Sequence, residues 1–296
     1  MSYPHQRKKI KITLLDAAIL AALAGAVFYL VFKAATGLNY HWKWEIIPQF
    51  ILRFDEASGS WEAGLLLQGL YTTLRLSIWG TVLALIIGIV FGLFRVSPSL
   101  FKRQVAMTYI GLIRNTPPLV LIFIFYFFIG DQIMKAINLE AFIHGLSDEY
   151  KSALSFFIGP INRAPQFFSA VLTLALFEAA YIAEIVRAGV QSVETGQWEA
   201  STALGMRRSQ CLRYVILPQA LQRMLPALAG QFISIIKDSA IVSVISIEEL
   251  TFQAQQIMTT TYRSFEIWTT VFIMYFVLTF LCSIAIRKLE LVLQRN

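Results

Sequence analysis

The sequence predicts an all-α polytopic membrane protein with about six transmembrane helices. Three observations carry that prediction. Of the 296 residues, 57% are apolar and only 15% charged, far from the mixed composition of a soluble domain. The apolar residues gather into runs of roughly 20, the length at which an unbroken helix satisfies its own backbone across about 30 Å of hydrocarbon. The basic residues stand at the ends of these runs rather than along one soluble face, so the net charge of +7 is a membrane pattern and not a nucleic-acid footprint.

The first run, Leu14 to Phe32, follows Arg7, Lys8, Lys9 and Lys11. A charged start before an apolar core also fits a signal peptide. A retained anchor is the expectation, because the core exceeds an h-region of about 7–15 residues and no small-x-small cleavage site follows. Later runs predict spans at Leu65–Phe94, Val105–Gly130, Phe167–Val186, Leu221–Ser246 and Phe265–Ile286. Six spans put both termini on one side. With the N-terminus inside, fifteen Lys and Arg fall in cytoplasmic segments and seven opposite, while Arg75, Arg114 and Lys237 lie within or near spans. The positive-inside rule therefore predicts cytoplasmic N- and C-termini in the inner membrane, and a cytoplasmic polar stretch from Arg187 to Ala220.

This divides the chain into a tail, anchor and extracytoplasmic interfacial segment (1–64), a transmembrane domain (65–290) with an extracytoplasmic insertion (131–165) and a cytoplasmic loop (191–218), and a short C-terminal cytoplasmic tail (291–296). Residues 33–64 carry Trp42, Trp44 and Trp61, tryptophans suited to the headgroup level. Residues 131–165 carry Leu139, Phe142, Ile143, Phe156 and Phe157 among polar residues, the pattern of short amphipathic helices lying on a membrane. Neither is large enough for a core of its own. Gly88 and Gly92, one turn apart, predict close approach of another helix.

No GxxxxGK[ST] phosphate loop occurs, nor any Gly-Lys pair, so energy from ATP must come through another chain. His5, His41 and His144 are scattered and match no ligand spacing; they read as surface or interfacial residues. Cys211 and Cys282 lie far apart in unlike surroundings, which argues against a disulfide. No nucleophile and base stand within reach of one another in a span. No catalytic residue, metal ligand or cofactor is assigned to this chain.

Residues 199–218 read EASTALGMRRSQCLRYVILP. Glu199 to Ala203 favours helix, Gly205 interrupts it, Met206 to Ile216 can resume it, and Pro218 is expected to end it. A pair of short helices beneath a bundle suits a cleft in another protein. The run resembles the EAA loop of bacterial ABC import permeases: Glu199, Ala200 and Ser201, then Gly205, then Val215, Ile216, Leu217 and Pro218. Ser201 and Val215 replace an alanine and an isoleucine. Gln68–Gly69–Leu70, Thr72–Thr73–Leu74, Ser77, the stretch Arg114 to Leu119, Gly196–Gln197, Gln219–Ala220 and Ile236 to Ser239 are similar to the polar amino acid uptake branch. The N-terminal anchor and the 131–165 insertion depart from the shorter members of that branch.

The resemblance implies a MetI-like, type I ABC importer fold that is not itself an enzyme. Two permeases, identical or paired with a homologue, sit on a dimer of ATPase subunits that uses ATP and Mg²⁺. An extracytoplasmic binding protein delivers the amino acid. Glu199, Ala200, Ser201, Gly205, Ile216, Leu217 and Pro218 are the ATPase-coupling residues on this reading.

Charges inside a membrane usually face a cavity or a partner, which makes Arg75, Glu178, Glu184, Lys237 and Asp238 the substrate-pathway candidates. Glu184 has Arg187 one turn later, so a helix-surface pair explains it. Glu178 has no basic residue three or four positions away. Lys237–Asp238–Ser239 breaks the fifth span, either as a gate or substrate contact or as an ion pair that fixes packing. Arg75 meets a substrate carboxylate or snorkels to the surface. A stand-alone channel or ion-coupled secondary transporter is the alternative, with the charges as an ion relay, and a scaffold without a pathway the third reading. The EAA-like loop discriminates, since a solitary transporter has no use for an ATPase-docking hairpin.

Overall fold

The computed structural model describes residues 14–37, 40–56 and 59–293. His5, Arg7, Lys8, Lys9, Lys11 and Arg295 lie outside the described residues. α1 (Leu14–Gly37) is an uninterrupted apolar helix and belongs to a unit that ends at Lys43.

The second unit begins at Trp44. It opens with a short helix, α2 (Ile47–Ile51), and an antiparallel hairpin of β1 (Leu52–Asp55) and β2 (Ser60–Ala63). Phe54 pairs with Trp61 across the hairpin, their rings edge to face at 5.5 Å. Ile47 is buried with Leu66, Leu250, Ile257 and Ile267, which ties this segment to the bundle.

α3 (Leu65–Arg95) is the first long span of this unit. The third span expected at Val105–Gly130 is corrected. α4 (Leu100–Arg114) stops short, and a separate apolar rod runs from Pro118 to Ala136 as α5 (Pro118–Ile124), a π turn (Phe125–Gly130) and α6 (Asp131–Ala136). The cause is local. Pro117 has no N–H and bars Thr116 from the helical region, while Pro118 suits the first turn of the next helix. Asn115 and Thr116 side chains donate to the carbonyls of Gly111 (2.8 Å) and Leu112 (2.7 Å), satisfying the helix end.

The 131–165 insertion is shorter than expected, since 131–136 belong to the α6 rod and Ala164 begins the next long helix; between them lie α7 (Leu139–His144) and α8 (Asp148–Ile158), with Phe142 and Phe156 exposed. α9 (Ala164–Gln191) is the most buried span. Its fully buried Ala170, Ala175, Ala179, Ala180 and Ala183 leave little bulk between backbones, and Gly80, Gly88 and Gly92 of α3 face its Leu174, Ile182 and Val186. The glycine pair predicted as a packing device is therefore the α3–α9 seam.

After α9 come α10 (Thr195–Ala203), a turn and α11 (Arg208–Gln210). The helix then continues as a π segment (Cys211–Ile216), α12 (Leu217–Asp238) and a 3-10 turn (Ser239–Ile245). The expectation that Pro218 ends this helix is corrected too. The wider π turn just before it accommodates the missing N–H and the ring, and Pro218 becomes a first-turn residue of α12. α13 (Leu250–Thr261) leads to α14 (Ser264–Leu293), whose Phe272, Phe276 and Phe280 form an exposed stacked stripe with ring centroids 6.3 and 5.8 Å apart. Among the described residues, five helices are thus long and apolar enough to cross a membrane, with α1 a further apolar helix.

Candidate coupling loop and membrane site

The loop divides into an anchored face and a free one. Ser201, Cys211 and Ile216 are buried, Ile216 within the cluster that holds Ala179, Ile182, Val186 and Val190 of α9. Ser201 also donates to the Trp198 carbonyl at 3.0 Å. A small side chain at 201 is what this position accommodates, and serine meets the requirement as alanine does. Glu199, Ala200 and Pro218 are exposed, and Leu217 is half-buried. Gly205 takes a left-handed conformation (φ +76°) with nothing near the position of a Cβ, so backbone geometry rather than space selects glycine there. The turn is closed by Gln210, whose side chain accepts from Arg207 N–H at 2.8 Å. Gln219 donates to Gln197 (3.2 Å), tying the start of α12 to α10.

Just above the loop, Glu184 accepts from Arg187 (2.9 Å), as the helix-surface pair predicts. It also meets Arg95 of α3 (3.4 Å) and Arg114 of α4 (3.8 Å). One carboxylate thus joins three helices through three guanidiniums, which accounts for its charge without a substrate.

Glu178 is fully buried on α9, one face away. Gln231 of α12 donates to its Oε2 at 2.6 Å, and the Asp238 side chain lies within hydrogen-bonding range of it. Two carboxyl groups this close repel unless a proton, a cation or a donor stands between them. Glu178 Oε1 has no hydrogen-bond partner among the described residues, an open valence rare in a buried group. The backbone changes from α-helix to 3-10 at Asp238, so the predicted break is present. Lys237 is exposed and joins no salt bridge within 4.0 Å among the described residues, though its charge acts on the neighbouring Asp238, so the gate and ion-pair readings of the break both stand. Arg75 goes elsewhere: its Nε donates to the Phe156 carbonyl at 3.0 Å, and Trp79 Nε1 to that of Phe157 at 3.3 Å. Both close free carbonyls in the last turn of α8. The structure therefore brings Glu178 and Asp238 together, with Lys237 beside Asp238 in the chain, and leaves Arg75 and Glu184 apart from them.

Near the start of α3, at the other end of the bundle, Arg163 pairs with Glu248 on the wall of a 380 Å³ cavity that Thr72, Tyr126, Gln166 and Phe252 also line.

Residues 80–293 match the family described as "Binding-protein-dependent transport system inner membrane component". The chain belongs to this family. A relative at 36% identity over 240 residues is the glutamine transport system permease protein of Escherichia coli (strain K12), covering 81% of this chain and 97% of that one. The nopaline transport system permease protein of Agrobacterium fabrum (strain C58) is 34% identical over 218 residues, 74% of this chain and 83% of that one. Among solved structures, a crystal structure of an amino acid ABC transporter with histidines aligns with a TM-score of 0.60 at 36% identity, covering 76% of this chain and 92% of that chain. A methionine ABC transporter in an inward-facing conformation shares the fold at 20% identity (TM-score 0.57), over 77% of this chain and 95% of that chain.

Several residues of this inner membrane component escape a sequence reading. Gln231 is uncharged, so a search for intramembrane charge passes over it, although a lone amide within a span is itself a signal. Arg95 and Arg114 reach Glu184 only through tertiary packing. Leu204 is 82% exposed beside Gly205, an apolar side chain on the free face of the loop that composition does not distinguish from core. Glu249 is fully buried between the last two spans, where it caps α13 through Phe252 N–H (2.8 Å) and accepts from Tyr275 (2.7 Å) and Thr73 (3.4 Å).

Proposed function

We propose that the chain is the translocating subunit of an ATP-driven importer for polar amino acids, powered by a separate ATPase that docks on residues 199–218. The single observation that carries this reading is the loop itself: Ile216 fixes it to α9 and Ser201 is buried, while Glu199, Ala200, Leu204 and Gly205 remain free for a partner. A rigidly anchored hairpin transmits a push to the bundle, whereas a floppy one would absorb it. The substrate class rests on relatives named for glutamine and nopaline transport and on a solved neighbour named as an amino acid transporter.

In this reading ATP and Mg²⁺ act in a dimer of partner ATPases, a second permease copy or homologue completes the pathway, and a binding protein delivers substrate to the end of the bundle bearing Arg163 and Glu248. The termini and the loop are cytoplasmic. Glu178, Asp238 and Gln231 receive the ammonium group, which would satisfy the open Glu178 oxygen and relieve the carboxylate repulsion. Arg75, Glu184 and Lys237 support the pathway from outside it. The test is uptake of labelled amino acids by vesicles holding the complete complex and binding protein. Uptake that requires ATP supports the reading; uptake driven by an ion gradient without ATP overturns it in favour of a secondary transporter.

A further inference from the structure

A second, unassigned cavity of 560 Å³ lies where α3 ends, between the α3–α4 turn, the last turn of α9 and the coupling loop. Arg95, Arg103, Arg187 and Arg208 line it, together with Trp198 and Gln191, and no carboxylate does. Glu184 holds Arg95 and Arg187 from the side, which leaves a surplus of three positive charges facing one space.

The arginines are not equally occupied. Arg208 donates to the Val96 carbonyl at 3.3 Å and stacks on Trp198 at 5.3 Å, so its guanidinium is held in place with donors to spare. The Arg103 guanidinium has no hydrogen bond or ion pair among the described residues. Four guanidiniums drawn from four helices, with an aromatic platform and no acid on the wall, form an anion site whose anion must come from outside the chain.

The surroundings say which anion. The cavity lies at the end of α3, a helix long and apolar enough to cross a membrane, and the end of such a span is where headgroups are met. Leu100, 61% exposed, lies one turn before Arg103 on the same face of α4, so an apolar surface adjoins the charged one. A free phosphate or a nucleotide has no use for that surface, whereas a phosphate ester carrying acyl chains does. Basic pockets between helices on the cytoplasmic side are suited to such headgroups.

We propose that this cavity binds the phosphate of an anionic phospholipid from the cytoplasmic leaflet, joining the coupling loop to the α3–α4 turn through Arg208 and Arg103. The leaflet assignment rests on the orientation adopted under Proposed function; the lipid assignment does not.

The test is native mass spectrometry of the full chain in complex with its ATPase, released from detergent and titrated with dioleoyl phosphatidylglycerol, dioleoyl phosphatidylcholine or inorganic phosphate. Retention of phosphatidylglycerol over phosphatidylcholine is expected. Arg103→Gln should weaken it about fivefold and Arg103→Gln with Arg208→Gln about 25-fold, the scale of one basic contact each at a membrane surface. Arg103→Lys, which keeps the charge, should stay close to the parent. Equal retention of the two lipids, an unchanged Arg103→Gln, or displacement of phosphatidylglycerol by millimolar phosphate would overturn the proposal, the last by assigning the cavity to a free anion. Labelling of an Arg103→Cys variant from the outer side of oriented vesicles would overturn the leaflet while leaving lipid selectivity to be judged on its own result.

Discussion

Replacing Gly88 by alanine tests the packing on which both the pathway and the loop depend. A Cβ built at Gly88 falls 2.5 Å from Ile182 Cγ2, 2.7 Å from its Cβ and 3.0 Å from the Ala179 carbonyl oxygen. Carbon atoms in ordinary contact stand about 3.5–4.0 Å apart, so α3 and α9 must separate by roughly 1 Å. Overpacking of this kind costs about 1–3 kcal/mol, and the obstruction includes backbone, which places Gly88→Ala toward the upper end. Better helix propensity offsets about 1 kcal/mol, giving a net loss near 2 kcal/mol. Gly111→Ala is the internal control: it sits in α4 with nothing within 4 Å, so propensity alone acts and stability rises by up to about 1 kcal/mol. Truncating Ile182 to alanine does not rescue Gly88→Ala, because the Ile182 Cβ and the Ala179 carbonyl remain in the way. The assay is reversible unfolding in mixed micelles for the three variants. Equal stabilities of Gly88→Ala and Gly111→Ala, or full rescue by the double variant, would refute the close α3–α9 approach.

Three other outcomes follow from the site. Glu178→Gln removes one charge from the buried pair and should lower ATP-driven uptake by at least about tenfold, the scale of a charged hydrogen bond, with the complex still assembled; uptake at the parent rate excludes Glu178 from the pathway. Arg75→Ala frees the carbonyl of Phe156 and should raise amide hydrogen exchange across α8 while leaving α9 unchanged. Burial pushes the Glu249 carboxyl up to about 7, against the pull of its Phe252, Tyr275 and Thr73 donors. The folded state then holds this proton more tightly than the unfolded state, so its stabilisation is complete below about pH 4.5 and is lost as pH rises toward 7. Thermal unfolding in detergent at pH 5 and pH 8 should show that loss in the parent and not in Glu249→Gln.

Much of the fold is legible in the sequence because spans are set by apolar length, and length survives any tertiary arrangement. Apolar length alone does not place the third span, because apolar residues flank Thr116–Pro117 on both sides and hide the break that the proline imposes. Nor does the sequence show that the loop helix continues through Pro218, since a π turn has no composition of its own. The helix–turn–helix form of residues 199–218 is readable because Gly205, Ile216 and the spacing between them are local. The membrane site is readable only in part. Glu178 and Asp238 stand out as charges, but their meeting across α9 and α12, the Gln231 donor and the diversion of Arg75 to α8 are products of packing between residues far apart in the chain.

Whether an ATPase docks through residues 199–218 is read most directly from how much of it the permease retains. Glu199→Lys alters an exposed position on the free face of the loop and should keep the stability of the parent, while Gly205→Asp forces a side chain into the left-handed region at a cost of about 1 kcal/mol; both variants should still insert normally. Each is expected to lose most of the P-loop ATPase that copurifies with the parent in mild detergent. Full ATPase retention by both variants, at parent levels of membrane insertion, would contradict docking through residues 199–218.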